Sequence, residues 1–102
     1  MIVLYVLESC PYCNNALQLL KEKKIKHKAI IVENKQETKE YYKKQNGMKT
    51  FPQIFAQMDK DNFIKIGGHD DLVEVIDKCI DIRDSNVSMD SIYYTYQNLP
   101  KK

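Results

Sequence analysis

The chain has 102 residues, a length that suits one domain with a modest hydrophobic core. With 16 Lys and Arg against 14 Asp and Glu, the net charge is only +2, so the composition carries no electrostatic footprint for nucleic acid or an anionic membrane. The apolar start has no basic leader, and no apolar run approaches the roughly 20 residues of a membrane span. We therefore expect a soluble cytoplasmic protein without nucleic-acid or membrane partners. The odd number of cysteines, three, argues against a disulfide framework.

The first part of the chain predicts a strand, a helix and a second strand. Residues 2–7 are β-branched, aromatic or aliphatic without polar alternation, as in a short strand buried on both faces. Pro11 then opens a helix that extends to about Lys24, because its apolar residues fall on one side. Residues 28–33, again short and rich in β-branched side chains, predict the second strand.

A charged helix is predicted next. Residues 37–46 are mostly charged, with Tyr41 and Tyr42 as apolar anchors. Gly47 fits the position just past a helix end. We expect this helix to lie on the surface.

A hairpin and a last amphipathic helix complete the predicted domain. Residues 51–57 and 62–66 alternate apolar with polar side chains on either side of a turn-forming cluster, which predicts two paired strands. A pair of glycines precedes a run with helical spacing, which Asp70 and Asp71 start favourably. The apolar residues of this helix are Leu72, Val73, Val75, Ile76, Cys79, Ile80 and Ile82.

Residues 84–102 form a tail of different composition, rich in Ser, Asn, Asp and Tyr. The sequence leaves open whether this tail packs on the domain, forms a dimer or stays disordered. We therefore divide the chain into a domain of residues 1–83, with elements in the order βαβαββα, and a C-terminal extension of residues 84–102.

A Cys-x-x-Cys pair, Cys10 and Cys13, stands at the start of the first helix. This spacing puts two sulfurs one turn apart on the same side, close enough to open and close a small disulfide ring. Because Pro11 suits the first position of a helix, Cys10 should be the N-cap, with the N–H groups of Tyr12 and Cys13 pointing at its sulfur. Such donors and the helix dipole stabilise a thiolate and can lower a cysteine pKa from about 8.5 to roughly 3.5–7.5.

The two positions predict different roles for the two thiols. Cys10 is the predicted nucleophile, and Cys13, which should be more buried, stays protonated until it resolves a mixed disulfide at Cys10. The alternative is half of a zinc site, but zinc normally takes four ligands and only His69 and Cys79 could complete the set. Cys79 stands on an apolar helix face, where an inert buried cysteine is the common case, so we expect no metal.

Three motifs occur along the chain in a fixed order: Cys-Pro-Tyr-Cys at 10–13, Lys-Thr-Phe-Pro-Gln-Ile-Phe at 49–55 and Ile-Gly-Gly-His-Asp-Asp-Leu at 66–72. Together they resemble the dithiol glutaredoxins, over residues 2 to about 82. The combination of Thr-x-Pro with Gly-Gly-x-Asp-Asp makes the resemblance specific. It implies a thioredoxin-like α/β fold with three layers, α/β/α, around a four-stranded mixed sheet, and a cis peptide bond before Pro52.

The resemblance also implies a site for glutathione. The backbone of Phe51, beside Cys10, would pair with the extended peptide. The N–H groups near Asp70 and the side chain of Asp71 would hold its γ-glutamyl end, although both aspartates could instead only cap the helix. The site residues that the resemblance implies are Tyr12, Lys49, Thr50, Phe51, Pro52, Gly68, Asp70 and Asp71.

One position departs from the family pattern. Many glutaredoxins carry Lys or Arg three residues before the nucleophilic cysteine, where this chain has Leu7. The usual basic contact to the glycine carboxylate of glutathione is therefore missing. Lys49 and Lys39 occupy places where the family often has polar or basic contacts, and either could compensate.

The resemblance implies a glutathione-dependent thiol–disulfide oxidoreductase that acts on protein or glutathione mixed disulfides through Cys10 and Cys13. Its partners would be glutathione, as the co-substrate, and disulfide-bearing proteins, and we expect a monomer. Two other functions stay open. One is a thioredoxin-like reductase that does not use glutathione, and the other is an iron–sulfur cluster carrier in which two protomers share a cluster.

Overall fold

The computed structural model describes residues 1–79 and 89–99. These residues form four strands and four helices. The elements are β1 (Ile2–Leu7), α1 (Pro11–Glu22), β2 (His27–Val32), α2 (Gln36–Asn46), β3 (Gln53–Gln57), β4 (Phe63–Gly67), α3 (His69–Lys78) and α4 (Met89–Gln97).

The four strands form one mixed sheet in the order β2-β1-β3-β4. Strand β1 pairs in parallel with β2, and the connection between them is helix α1, as parallel neighbours require. On its other side β1 pairs antiparallel with β3, which in turn pairs antiparallel with β4. The predicted α/β fold with a four-stranded mixed sheet is confirmed.

The hydrophobic core lies between one face of the sheet and helices α1 and α3. Alternate residues of β1 point to opposite faces of the sheet, so Ile2, Leu4 and Val6 share one face. Their core cluster also contains Ala16, Leu20, Leu72, Val75 and Ile76 from the two helices. On the opposite face the ring of Tyr5 lies 5.3 Å from that of Tyr42 in α2, which makes the sheet the middle of three layers.

The register of the strands brings three chain segments to one edge of the sheet. Because β3 runs antiparallel to β1, with Tyr5 opposite Gln53, it begins where β1 ends. Gly67, the last residue of β4, pairs with Ile54 near the start of β3. The segments that follow β1, precede β3 and follow β4 therefore meet at this edge.

Two details of the predicted helices differ in the structure. Helix α3 ends at Lys78 and not near residue 82, because the backbone of Cys79 is extended, with φ −84° and ψ 108°. Of the two anchors predicted for α2, Tyr42 packs against the core, whereas Tyr41 is 59% exposed.

Part of the tail is helical. Helix α4 packs against α3 and β3, and its Ile92 is only 1% exposed, as part of the core cluster. The predicted domain boundary near residue 83, together with Ile80 and Ile82, lies outside the described residues. In the described part of the chain, no helix has the length and apolar character to cross a membrane.

Candidate active site

Cys10 occupies the N-cap of α1, as predicted, immediately after the end of β1. Ser9 adopts a left-handed conformation, with φ 58°, and turns the chain from the strand toward the helix. Pro11 stands in the first helical turn, where its missing N–H has no intrahelical partner to lose. The Cys10 side chain is half-buried and packs partly against the core.

The sulfur of Cys10 accepts a hydrogen bond from the backbone of its own helix. The N–H of Cys13 donates to Cys10 Sγ at 3.3 Å. The second donor expected there is absent, since among the described residues the Tyr12 N–H makes no hydrogen bond to that sulfur. A single backbone donor and the N-terminus of α1 thus face the Cys10 sulfur.

Cys13 is enclosed in the core, with no exposed surface. Burial first, and then a hydrogen bond to Cys10 and the charge on that residue, raise the pKa of the Cys13 thiol from 9.0 to about 12. The expectation that Cys13 is the more buried of the two cysteines is confirmed. The pair therefore combines one partly exposed cysteine with one buried thiol that holds its proton.

The turn from β4 into α3 forms the wall opposite the cysteines. Gly67 has φ 128°, a conformation that L side chains rarely adopt. The N–H of Gly68 donates to Asp71 Oδ2 at 2.9 Å, so Asp71 caps the start of α3 through one carboxylate oxygen. The peptide bond between Phe51 and Pro52 is cis, which confirms that expectation.

An aromatic contact links the cysteine turn to this wall. The ring centroids of Tyr12 and His69 are 5.9 Å apart, with a tilt of 47° between the rings. His69 Nδ1 also lies 3.2 Å from Asp70 Oδ1. His69 therefore stands between the Cys-x-x-Cys turn and the acidic first turn of α3.

These segments enclose an open cleft of about 370 Å³. We call it the active-site cleft; its lining residues are Tyr12, Met48, Thr50, Phe51, Pro52, Gly68, His69, Asp70 and Asp71. Of the predicted glutathione-site residues it brings together all but Lys49, which lines a neighbouring cleft. Cys10 does not line the cleft itself. It lies two residues before Tyr12, which does.

Met48 and His69 line the cleft although neither was predicted as part of the site. The sequence marks His69 only as a possible zinc ligand and gives no signal for Met48 beyond its place next to Lys49. The sequence did carry a signal for His69. His69 is the variable residue x of the Gly-Gly-x-Asp-Asp motif, and other residues of that motif were expected at the site.

The position of Leu7 explains how this chain accommodates an apolar residue before the cysteines. Leu7 is the last residue of β1 and packs, partly buried, against the hydrophobic core.

Cys79, one of the two candidates to complete a zinc site, is 5% exposed and belongs to the same core. Within residues 1–79 and 89–99, no three His, Cys, Asp or Glu side chains form a group that could hold a metal ion.

Known proteins similar to this chain are glutaredoxins. The Glutaredoxin family model matches residues 2–60. Glutaredoxin 1 of Rickettsia felis is 43% identical over 76 residues, which cover 72% of this chain and 70% of that protein. Glutaredoxin 3 of Escherichia coli K12 is 34% identical over 71 residues, which cover 70% and 80% of the two chains. The solution structure of glutaredoxin from Brucella melitensis has a TM-score of 0.58 at 28% identity and covers 81% of this chain and 84% of that one.

Proposed function

This chain belongs to the glutaredoxin family, whose activity is thiol–disulfide oxidoreduction, and on that premise we propose that it reduces disulfides with glutathione as its co-substrate. Cys10 is the proposed nucleophile and Cys13 the resolving thiol. The substrates are mixed disulfides between proteins and glutathione, and disulfides within proteins.

The observation that carries this proposal is the active-site cleft beside Cys10. It joins the segment before β3 to the first turn of α3, so an extended peptide has backbone on one side and a helix N-terminus on the other. Free N–H groups at that N-terminus suit a carboxylate. Asp71 uses Oδ2 to cap α3, and its second carboxylate oxygen, Oδ1, suits the ammonium group of the same γ-glutamyl end.

The first chemical step is attack by the Cys10 thiolate on the glutathione sulfur of a mixed disulfide. A bond forms between the Cys10 sulfur and glutathione while the original S–S bond breaks, and the substrate leaves as a thiolate that takes a proton from solvent. A second glutathione, after losing its proton, attacks the bound glutathione sulfur. Glutathione disulfide leaves, the Cys10 thiolate is restored, and one free glutathione has been oxidised for each mixed disulfide reduced.

Cys13 serves the second route, in which the Cys10 thiolate has broken a protein disulfide and one substrate sulfur is bonded to Cys10 in a mixed disulfide. Its thiol loses a proton and attacks the Cys10 sulfur, which forms the Cys10–Cys13 disulfide and releases the reduced substrate. Two glutathiones then reduce the Cys10–Cys13 disulfide and leave as glutathione disulfide. The causes that raise the pKa of Cys13 explain why it attacks only after the mixed disulfide has formed. Burial is the largest cause, but the hydrogen bond to Cys10 and the charge on it also contribute, and these two are lost once the Cys10 sulfur is bonded. Cys13 is therefore easier to deprotonate after a mixed disulfide has formed.

The proposal is tested by turnover of a small glutathione mixed disulfide, with glutathione and glutathione reductase recycling the reductant. We expect turnover with glutathione and none when thioredoxin and thioredoxin reductase replace it. Cys10→Ser should reduce the rate to that of uncatalysed exchange, because the attacking sulfur is gone. Cys13→Ser should retain substantial turnover, because glutathione itself resolves the intermediate.

Cys79→Ala is the matched control, since Cys79 is buried near the end of α3 and has no part in the proposed steps. Its turnover should equal that of the unchanged chain. Normal activity in Cys10→Ser would show that the nucleophile is wrong. A reduced protein that reacts with the mixed disulfide but is not recycled by glutathione would show that the co-substrate is wrong.

A further inference from the structure

A second cleft, which we call the basic cleft, lies beside the active-site cleft. Its volume is about 460 Å³, and its lining residues are Glu40, Lys43, Lys44, Gly47, Met48 and Lys49. Met48 lines both clefts, so the two are adjacent. A molecule whose disulfide lies at Cys10 and occupies the active-site cleft can thus extend into the basic cleft.

The basic cleft carries an excess of positive charge. Three of its lining side chains are lysines and only one is acidic. That one, Glu40, is already engaged, because its Oε1 lies 3.5 Å from Lys43 Nζ and accepts a hydrogen bond from Gln36 Nε2 at 3.0 Å. Among residues 1–79 and 89–99, no carboxylate forms an ion pair with Lys44 or Lys49.

Cations at the end of a helix stabilise its C-terminal carbonyl groups, and Lys43 and Lys44 in the last turn of α2 do so. That explanation does not extend to the rest of the cluster. Lys49 follows the left-handed turn at Gly47, and Lys65 reaches over from β4 to donate to the Gly47 carbonyl oxygen at 3.1 Å. Helix α2, the loop after it and strand β4 therefore all bring positive charge to one place, in a chain whose net charge is only +2.

We propose that the basic cleft docks an acidic segment of the disulfide-bearing protein substrate. This inference rests on the proposed function and names the substrate class that the same site prefers. Exposed lysine ammonium groups act as mobile point charges, which suits carboxylates on a flexible segment. Charge complementarity at such a cleft raises the association rate and selects partners, and salt weakens both effects.

The test compares two peptides, each joined to glutathione through its one cysteine. They have equal length and differ only in that Asp and Glu residues flanking the cysteine in one are Asn and Gln in the other. The measured quantity is the second-order rate constant for removal of glutathione. At an ionic strength of about 20 mM we expect the acidic peptide to react roughly 10-fold faster, and at about 500 mM we expect the ratio to approach one.

Variants at Lys44 locate the effect, because Lys44 lies outside the proposed glutathione site. The advantage of the acidic peptide should decrease in Lys44→Gln and decrease further in Lys44→Glu. Lys28→Glu is the matched control for Lys44→Glu, since it makes the same charge change on β2. Strand β2 forms the edge of the sheet opposite to β4, whose Lys65 reaches the basic cleft. All variants should turn over a mixed disulfide between glutathione and a small uncharged thiol at the same rate.

Each outcome bears on one proposal. Equal rates for the two peptides, or an equal loss of selectivity in Lys28→Glu, would overturn docking in the basic cleft while leaving the proposed function intact. Failure of glutathione to recycle the enzyme with the small disulfide would overturn the proposed function. In that case the docking preference is measured as the rate of a single thiol–disulfide exchange between the reduced protein and each peptide. Competition by a single-stranded oligonucleotide without selectivity among peptides would identify a nucleic-acid surface and overturn docking of an acidic segment.

Discussion

Gly67 lies against the carboxyl group of Asp71: a Cβ atom on Gly67 would stand 2.7 Å from Asp71 Cγ. The φ angle of +128° at Gly67 adds backbone strain for any other residue. Gly67→Ala would therefore displace the side chain that caps α3. We expect it to lower the free energy of unfolding by roughly 2 kcal/mol or more, measured by urea denaturation.

Gly68→Ala is the control for that substitution. A Cβ atom on Gly68 would lie 3.9 Å from the Pro52 carbonyl oxygen and 4.0 Å from Asp71 Oδ2, which is ordinary van der Waals contact. Its cost should be about 1 kcal/mol or less. Equal stability of the two variants would show that contact with Asp71 does not constrain Gly67.

Asp71→Asn separates the cap from the proposed ligand contact. An asparagine oxygen can still accept from the Gly68 N–H, so the fold should be nearly as stable, but the negative charge is gone. We expect KM for a glutathione mixed disulfide to rise about 10-fold with little change in kcat, as for the loss of one charge-assisted hydrogen bond. Asp77→Asn, an exposed residue of α3, provides the charge-matched control. An unchanged KM in Asp71→Asn would leave the residue with a capping role alone.

The signals that predicted the elements are local ones. Short apolar runs, a proline one residue after Cys10 and a glycine after α2 each act over a few residues, and the structure has the strands and helix starts where these signals stand. The end of α3 had no such signal. Its apolar spacing continues past Lys78 without a glycine or proline, so periodicity alone predicted a longer helix.

The composition of the site depended on contacts across the fold. Motif resemblance predicted the residues around Pro52 and Asp71, because they belong to conspicuous segments. Met48 entered the cleft only because the loop after α2 folds toward the turn before α3, and no pattern along the chain indicates that approach. The contact of His69 with Tyr12 likewise joins residues far apart in sequence.

Alkylation should distinguish the two cysteines of the pair. Cys13 has no exposed surface and Cys79 is 5% exposed, whereas Cys10 is half-buried. In the reduced native protein at neutral pH, iodoacetamide should modify Cys10 alone, as measured by peptide mass spectrometry. In concentrated guanidinium chloride all three should react. Modification of native Cys13 at a rate similar to that of Cys10 would contradict the structure.

The pKa of Cys13 predicts a loss of stability at alkaline pH. Burial, and to a smaller extent the hydrogen bond to Cys10 and its charge, raise this pKa from 9.0 to about 12, so the unfolded chain releases the proton at lower pH than the native state does. The stabilising contribution is complete below about pH 9 and decreases as pH rises toward 12. Between pH 8 and 10 the reduced protein should lose roughly 1 kcal/mol more than Cys13→Ser, whose hydroxyl does not titrate there. Parallel losses in the two proteins would show that Cys13 does not contribute.

Ile92 connects the tail helix to the domain. Its side chain is 1% exposed within the core cluster, and α4 packs against α3 and β3. Ile92→Ala should therefore lower the free energy of unfolding by about 2–4 kcal/mol, since it leaves a cavity in the core. Tyr94→Ala, in the same helix but 69% exposed, should change it by less than about 1 kcal/mol. If both variants were as stable as the unchanged chain, α4 would contribute nothing to the fold in solution, and the tail would be a separate extension.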